Sequence, residues 1–400
     1  MKDTVTIGMA GAGRGTELHM GGYDHVHGIN VRYKTIFARR QEQLDAAKKR
    51  YGFEQTTTRF EDMLEDPEID VIDICTPPYL HKDMIIRSLQ AGKHVICEKP
   101  LTGYFGDGTE TEPVGFTSKK KMFHRCLKDL DEIEQAIKES GKMFMYAENF
   151  VYAPAIQKAA ELVTAKKSRI LYMKGEESLK GSSSHVAGEW DKTGGGTLVR
   201  TGAHPLSAIL WLKHQESLAH QIRIDAKSVL ADITQVTNQL TDYEHRHIAA
   251  RPHDVEDTST VVIEFTDGTR ACVIANDTLL GGSRNYVELY CNDAAMNCML
   301  TLNNLMSTYL LDEDGLDDVY ISEMLPAKTG WNNPFISDEI IRGYRNEIQD
   351  FMESIVYDRQ PMAEFGLARE TTLVLYGAYL SNETGRRVNL VEEPAEEYEG

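Results

Sequence analysis

The sequence predicts an α/β protein: an N-terminal Rossmann-type, doubly wound parallel sheet, then a C-terminal α+β domain with a large, mostly antiparallel open sheet. Three observations predict it. A chain of 400 residues is too long for one comfortable core, so two domains are expected. The first hundred residues alternate short β-rich runs with helical stretches, which implies right-handed crossovers and parallel pairing. Beyond Pro154 the alternation gives way to long β-type runs. The expected division is 1–150 for the first domain, with a long loop at 103–117, 151–390 for the second, and an acidic tail at 391–400.

Each element has its own signal. Val5–Ala10 reads as a strand, followed by a glycine turn and a helix opening near Gly15. Val31–Ala38 is the next strand, and Glu42–Tyr51 has helical composition. Asp70–Thr76 is an almost continuous apolar run, as a strand buried on both faces requires. Lys82–Ala91 is a helix closed by Gly92, and His94–Cys97 is a short strand. The glycine-rich, polar stretch from Gly103 to Thr117 is expected as a surface loop, functional or mobile. A helix resumes over Met122–Ser140, then a strand over Met143–Ala147. Four further strands are expected at Ile170–Lys174, Thr258–Phe265, Thr269–Ala275 and Asn285–Cys291. Asp267-Gly268 between two of them is a hairpin signal. Helices Asn346–Tyr357 and Leu367–Glu383 precede the tail, which is expected to fray.

Composition excludes several classes. With 43 Lys and Arg against 62 Asp and Glu the net charge is −19, which disfavours nucleic acid and anionic membranes, and no basic stripe offsets it. No apolar run approaches the roughly 18–20 residues of a membrane helix. Met1-Lys2-Asp3-Thr4 leads directly into a strand, so a soluble, untargeted, cytoplasmic protein is expected. The six cysteines, Cys75, Cys97, Cys126, Cys272, Cys291 and Cys298, lack metal-ligand spacing and read as reduced thiols. His245, His247 and His253 fall in a polar loop without a ligand pattern, so no metal is expected.

The chemistry begins at Gly11-Ala12-Gly13-Arg14-Gly15-Thr16, which follows a strand and precedes a helix. Gly11 permits the tight turn, and Gly13 lets backbone N–H groups approach a pyrophosphate at the helix N-terminus. Thr16 stands where the full glycine spacing has a third glycine, and an ordinary glycine turn is the bland alternative. At the end of the second strand, Ala38 occupies the place of the carboxylate that holds the ribose of NAD, and Arg39 and Arg40 follow. That exchange leans toward NADP over NAD, because guanidinium suits a 2′-phosphate. Thr76-Pro77-Pro78-Tyr79-Leu80-His81 ends the next strand, where a loop is expected to pack over the nicotinamide half. Cys97-Glu98-Lys99-Pro100 sits at the carboxyl edge, where open α/β sheets bind ligands.

With Glu148-Asn149-Phe150-Val151-Tyr152-Ala153-Pro154 and the run Gly194–Pro205, these motifs make the chain resemble the family of glucose–fructose oxidoreductase, inositol dehydrogenase and MocA-type proteins. The resemblance runs from Val5 to about Leu390. It implies a Rossmann domain, an α/β domain with a large open sheet, and a sugar-like substrate held between them against the nicotinamide. Lys99 then matches the family lysine near the reacting oxygen, and His204 the histidine that acts as general acid and base. Cofactor contacts are expected from Gly11 to Thr16, Ala38, Arg39, Arg40, Thr76, Pro77, His81, Glu98, Lys99 and Asn149. A dimer or tetramer through the second sheet is the implied assembly. The chemistry also stands without the family: a group titrating near neutrality suits the proton step, and an ammonium stabilises a developing alkoxide.

Arg200 departs from the family pattern, because relatives often carry aspartate four residues before the histidine. Either another carboxylate orients the imidazole, or Arg200 binds an anionic or polyhydroxylated part of the substrate; the second is the expectation. Tyr152 and Trp190 are expected at the substrate wall, with core packing as the alternative. Three functional readings follow: a dehydrogenase with exchangeable cofactor, a glycoside-cleaving enzyme that oxidises its sugar transiently, and a non-catalytic dinucleotide-binding protein.

Overall fold

The computed structural model describes residues 4–182, 184–300, 308–310, 330–332 and 341–391. Six parallel strands form the first sheet: β1 (Thr4–Ala10), β2 (Asn30–Phe37), β3 (Gln55–Thr57), β4 (Val71–Ile74), β5 (His94–Glu98) and β6 (Phe144–Ala147). Their order is β3-β2-β1-β4-β5-β6. The chain reverses direction between β1 and β4, and in such sheets ligands bind outside the carboxyl ends at that reversal. All four residues of β4 are buried, three of them apolar and the fourth, Asp73, paired with His19. Helices α1 (Arg14–Tyr23), α2 (Gln41–Tyr51), α3 (Glu61–Glu65), α4 (His81–Gln90) and α5 (Lys119–Ser140) connect the strands. Expected strands fall within a few residues of those observed. β3 escaped detection because Gln55-Thr56-Thr57 is a polar edge strand with no alternation.

The second sheet has seven strands. β7 (Ile170–Ser178), β8 (Ala226–Thr234), β9 (Thr258–Phe265), β10 (Arg270–Asn276), β11 (Arg284–Cys291) and β12 (Ala295–Met299) are joined by a short C-terminal strand, Val388–Asn389. The order is β12-β11-β7-β10-β9-β8 followed by that last strand. β7 and β10 pair parallel, and the remaining ladders are antiparallel. The Asp267-Gly268 turn closes the β9–β10 hairpin, with Phe265 N–H donating to Thr269 O at 3.0 Å. Sequence reading missed β8, β12 and the helices α6 (Pro154–Lys166), α7 (Trp190–Thr193) and α8 (Ala203–His220). The first half of α8 is buried on all sides, so it carries no amphipathic stripe to recognise.

The two C-terminal helices divide between the two halves of the molecule. α9 (Tyr344–Tyr357) packs against α1, and α10 (Phe365–Thr384) lies across α5, α8 and β8. The expected surface loop at 103–117 is exposed over residues 107–109 and 111–113 and anchored on either side of them. Tyr104 is buried, its N–H donates to Tyr376 Oη at 2.8 Å, and Gly115 N–H donates to Asp254 Oδ2 at 2.8 Å. The stretch is a strap pinned to the second half of the chain, where Gly103 and Gly115 allow close packing. The tail expected to fray lies outside the described residues.

Candidate active site

The glycine turn leaves β1 at the reversal point. Gly11 has φ +119°, and a Cβ there would lie 2.5 Å from the Cys75 carbonyl oxygen, so only glycine fits. Gly13, the residue before α1, is the opposite case: a Cβ there meets no protein atom within 4 Å. The space in front of the α1 N-terminus is therefore open, and its unpaired N–H groups face it, which fits a dinucleotide pyrophosphate. Gly15 packs against Cys75 and Glu98, seating α1 on the ends of β4 and β5. Ala12 is half-buried, Thr16 is fully buried, and Arg14 reaches outward to Glu17 at 2.5 Å. Ala38 is buried at the end of β2, with Arg39 and Arg40 exposed beyond it.

At β5 the Lys99–Pro100 peptide is cis. Glu98 Oε2 accepts the Lys99 N–H at 3.0 Å, and Glu98 Oε1 lies 3.3 Å from His19 Nε2. Burial works to raise the Glu98 carboxyl. The hydrogen bond and charge of His19, with the charges of Lys99 and His204, outweigh it and hold Glu98 below the usual range. Thr76 is half-buried, with Oγ1 donating to Met84 Sδ at 3.4 Å, and Pro77 is exposed beside it. His81 is buried with both ring nitrogens 2.9 Å from backbone carbonyls, those of Pro100 and Thr76. Its ring has no nitrogen left for a cofactor. That expectation is corrected: His81 braces the two turns that carry Thr76 and Lys99.

Lys99 Nζ donates to the Arg200 carbonyl at 2.6 Å, which binds the first sheet's edge to the turn before His204. That turn is a π-helical segment, Leu198–Gly202, continuing into α8. It can form because the chain at Gly196 presses against Glu256, where any Cβ would lie 1.9 Å from the Glu256 carbonyl oxygen. The Glu256 carboxylate caps it, accepting the N–H groups of Gly196 and Leu198 at 2.9 Å each. His204 stacks on Phe150 at 4.8 Å, and its Nδ1 lies 2.7 Å from Oε1 of the fully buried Glu148. Glu148 is the carboxylate that sequence reading left unassigned. Its signal was present, since it opens the motif Glu148–Pro154, but 56 residues separate it from His204.

Arg200 turns away from the expected role. Its guanidinium forms an ion pair with the buried Asp277, so its charge is compensated within the protein. Tyr152 is also corrected. It is fully buried, with Oη donating to Asp350 at 2.9 Å and accepting from Ala363 N–H at 3.0 Å. Trp190 is a core residue too, with Nε1 donating to Tyr104 O at 3.0 Å and its ring 4.8 Å from that of Tyr379. Asn149 is buried and donates to the Arg342 carbonyl at 2.8 Å, which fixes the Asn149–Tyr152 turn. Behind the crevice, His19 Nδ1 lies 2.9–3.0 Å from both Asp73 oxygens, with Cys75 Sγ at 3.5 Å. These atoms hydrogen-bond one another in this structure.

Comparison with known proteins places this geometry. Residues 5–111 match the model of an oxidoreductase family with an NAD-binding Rossmann fold, and residues 167–297 match the GFO/IDH/MocA C-terminal domain. A levoglucosan dehydrogenase of Pseudarthrobacter phenanthrenivorans is 32% identical over 130 residues, 32% of this chain and 28% of that protein. The chain thus aligns with less than a third of that relative's length. Among solved structures, GenD2 from gentamicin A biosynthesis in complex with NAD superposes with TM-score 0.76 at 20% identity, covering 97% of this chain and 96% of that one. A levoglucosan dehydrogenase in complex with NADH and levoglucosan gives 0.72 at 19% identity, covering 97% of this chain and 100% of that one. At such identities the structures share the fold. Matched by models of both its halves, the chain belongs to the GFO/IDH/MocA oxidoreductase family with an NAD-binding Rossmann fold.

Proposed function

We infer that this protein is a nicotinamide-dependent dehydrogenase acting on a hydroxyl-bearing carbon of a sugar or polyol. One observation carries the reading: the Lys99 ammonium reaches the Arg200 carbonyl, one turn before His204, across the crevice between the two sheets. A bound nicotinamide supplies the two-electron acceptor. The chain's own residues supply the rest. Glu148 holds His204 Nδ1, leaving Nε2 to take the hydroxyl proton. Lys99 stabilises the alkoxide as the proton leaves. Glu98, anchored to the Lys99 N–H and to His19, fixes the turn that presents the lysine.

The charge of Arg200 is compensated by Asp277 and is not free to hold an anionic substrate. This favours neutral sugars and polyols over sugar acids and replaces the expectation of an anionic substrate. The relatives named above include a levoglucosan dehydrogenase, which supports an alcohol carbon on a sugar-like ring. For the cofactor, the absence of a carboxylate at Ala38 and the exposed Arg39 and Arg40 favour NADP over NAD. Two further assignments rest on the same reading. The uncovered face of the second sheet carries Tyr172, Tyr290 and Leu230, apolar enough to pair two copies of the chain into a dimer or tetramer. All six cysteines are free thiols, which suits the reducing cytoplasm.

The test is direct. Purified protein with NADP or NAD and a panel of neutral sugars, polyols and uronates should show net reduction of the dinucleotide with a neutral member of the panel. Product formation without net cofactor reduction would replace the dehydrogenase reading with transient oxidation. Binding of neither dinucleotide in calorimetry would end both.

A further inference from the structure

Among the described residues, Glu347 is the one carboxyl with both oxygens buried and unpartnered. It lies on α9, is wholly buried, and neither carboxyl oxygen has a hydrogen-bond partner. Its helix is wedged behind the crevice. On one side α9 packs on α1, where a Cβ on Gly22 would lie 2.6 Å from Ile348 Cγ1. At its start, Gly343 is pressed against the Asn149 carbonyl, in the turn that follows Glu148. Glu347 therefore stands between the helix that carries His19 and the strand end that carries Glu148.

The groups facing it are all titratable or charged. From α1 come His19 and Tyr23, from the end of β4 Asp73 and Cys75, and from β5 Glu98 with Lys99 beside it. Glu148 and its partner His204 close the far side, and Arg342, Tyr344 and Arg345 lie at the start of its own helix. Four carboxyl groups, those of Asp73, Glu98, Glu148 and Glu347, thus share one region with two imidazoles, one ammonium and the guanidiniums of Arg342 and Arg345. Three of the carboxyls have polar partners: Asp73 has His19, Glu98 has His19 and the Lys99 N–H, and Glu148 has His204. Glu347 has none. Burial pushes its carboxyl well above the usual range; the charge of His19 opposes that, and those of Glu98, Glu148 and Asp73 reinforce it. Burial also opposes a charge on His19, but the Asp73 carboxylate outweighs it and holds the imidazole protonated above its usual range.

We propose that Glu347 is a cofactor-linked proton site, protonated when the crevice is free or holds reduced dinucleotide and ionised when the oxidised, cationic nicotinamide lies beside Glu98 and Lys99. The inference rests on the dinucleotide reading given above. Its physical basis is charge balance in a region screened little by water. A cationic ring beside Glu98 brings one positive charge to a site where one carboxyl, that of Glu347, has no polar partner. The neutral reduced ring brings none. During alcohol oxidation the ring loses its charge while His204 accepts the hydroxyl proton, so the buried region can retain that proton on Glu347.

Calorimetry of dinucleotide binding in buffers of different ionisation enthalpy reads this directly. Oxidised dinucleotide should release close to one more proton than reduced dinucleotide near neutral pH, and its affinity alone should rise with pH, by up to tenfold per unit. In Glu347→Gln the difference in proton release should vanish, with affinity for the reduced form within threefold of wild type. His204→Asn should retain the difference, which separates Glu347 from the catalytic imidazole. Equal proton release by both redox forms in the wild-type protein overturns the proposal without any variant. A difference that survives in Glu347→Gln overturns it as well. If neither form binds, the dinucleotide reading itself falls and takes the proposal with it.

Discussion

The two sides of the crevice are built on opposite principles. The Rossmann side is made of backbone: a turn at Gly11, an open approach at Gly13 and the N-terminus of α1. The opposite side is made of side chains held by other side chains: His204 by Glu148, Arg200 by Asp277, the turn before α8 by Glu256. A backbone site is specified locally, by which residues lack a Cβ and where. A side-chain site is specified by partners that the chain brings from 56 to 77 residues away. The first tolerates changes of side-chain chemistry and fails on added bulk, whereas the second tolerates bulk at its margins and fails on single polar atoms.

Substitutions can break that contrast. The largest effects are expected at Lys99, which donates to the Arg200 carbonyl, and at His204, four residues further on. Lys99→Met and His204→Asn should each lower kcat/KM by about 10³-fold while dinucleotide affinity stays within a few-fold. Stopped-flow kinetics with equilibrium dinucleotide titration separates these effects. Next comes the support of the imidazole. Glu148→Gln keeps the shape and removes the charge facing Nδ1, and should cost about 10–100-fold in kcat with little change in KM for the dinucleotide, in line with about 1.5–3 kcal/mol for a charged hydrogen bond. A loss as small as twofold would mean that Phe150 stacking alone orients the ring.

The glycines sharpen the other side. Gly11→Ala drives a Cβ into the Cys75 carbonyl at a positive φ and should destabilise the fold by about 1–3 kcal/mol, seen as a lower Tm in the free protein. Gly13→Ala meets no protein atom, so Tm should be unchanged while dinucleotide affinity falls about tenfold. Equal loss of Tm in both would contradict the open space assigned to Gly13. The smallest effect is expected from the exposed arginines. Arg39→Ser with Arg40→Ser should reduce the preference for NADP over NAD about fivefold, and the Kd ratio measures it.

The same contrast decides what was legible in the sequence. The parallel sheet and its glycine turn could be read directly, because Val71-Ile72-Asp73-Ile74 and Gly11-Ala12-Gly13 carry their roles within a few residues. The Asp267-Gly268 hairpin was equally local. The helix α8 was not, since full burial of its first half erases helical periodicity. Lys99 and His204 were singled out by motif, but the groups that hold them were not. The sequence around Arg200 suggested an anion receptor, and only the fold brings Asp277 against it. Tyr152 and Trp190 show the same limit in reverse. An aromatic residue near a motif can face the substrate or the core, and the hydrogen bonds to Asp350 and Tyr104 that decide the matter are long-range.

The central claim is that Lys99 and His204 act on one oxygen. A double-mutant cycle in kcat/KM with Lys99→Met and His204→Asn tests it most directly. Groups that share one reacting oxygen act as a unit, so the double variant should be no slower than the worse single variant by more than about tenfold. A double variant slower by the full product of the two single losses would show that the ammonium and the imidazole act independently, and would contradict the account.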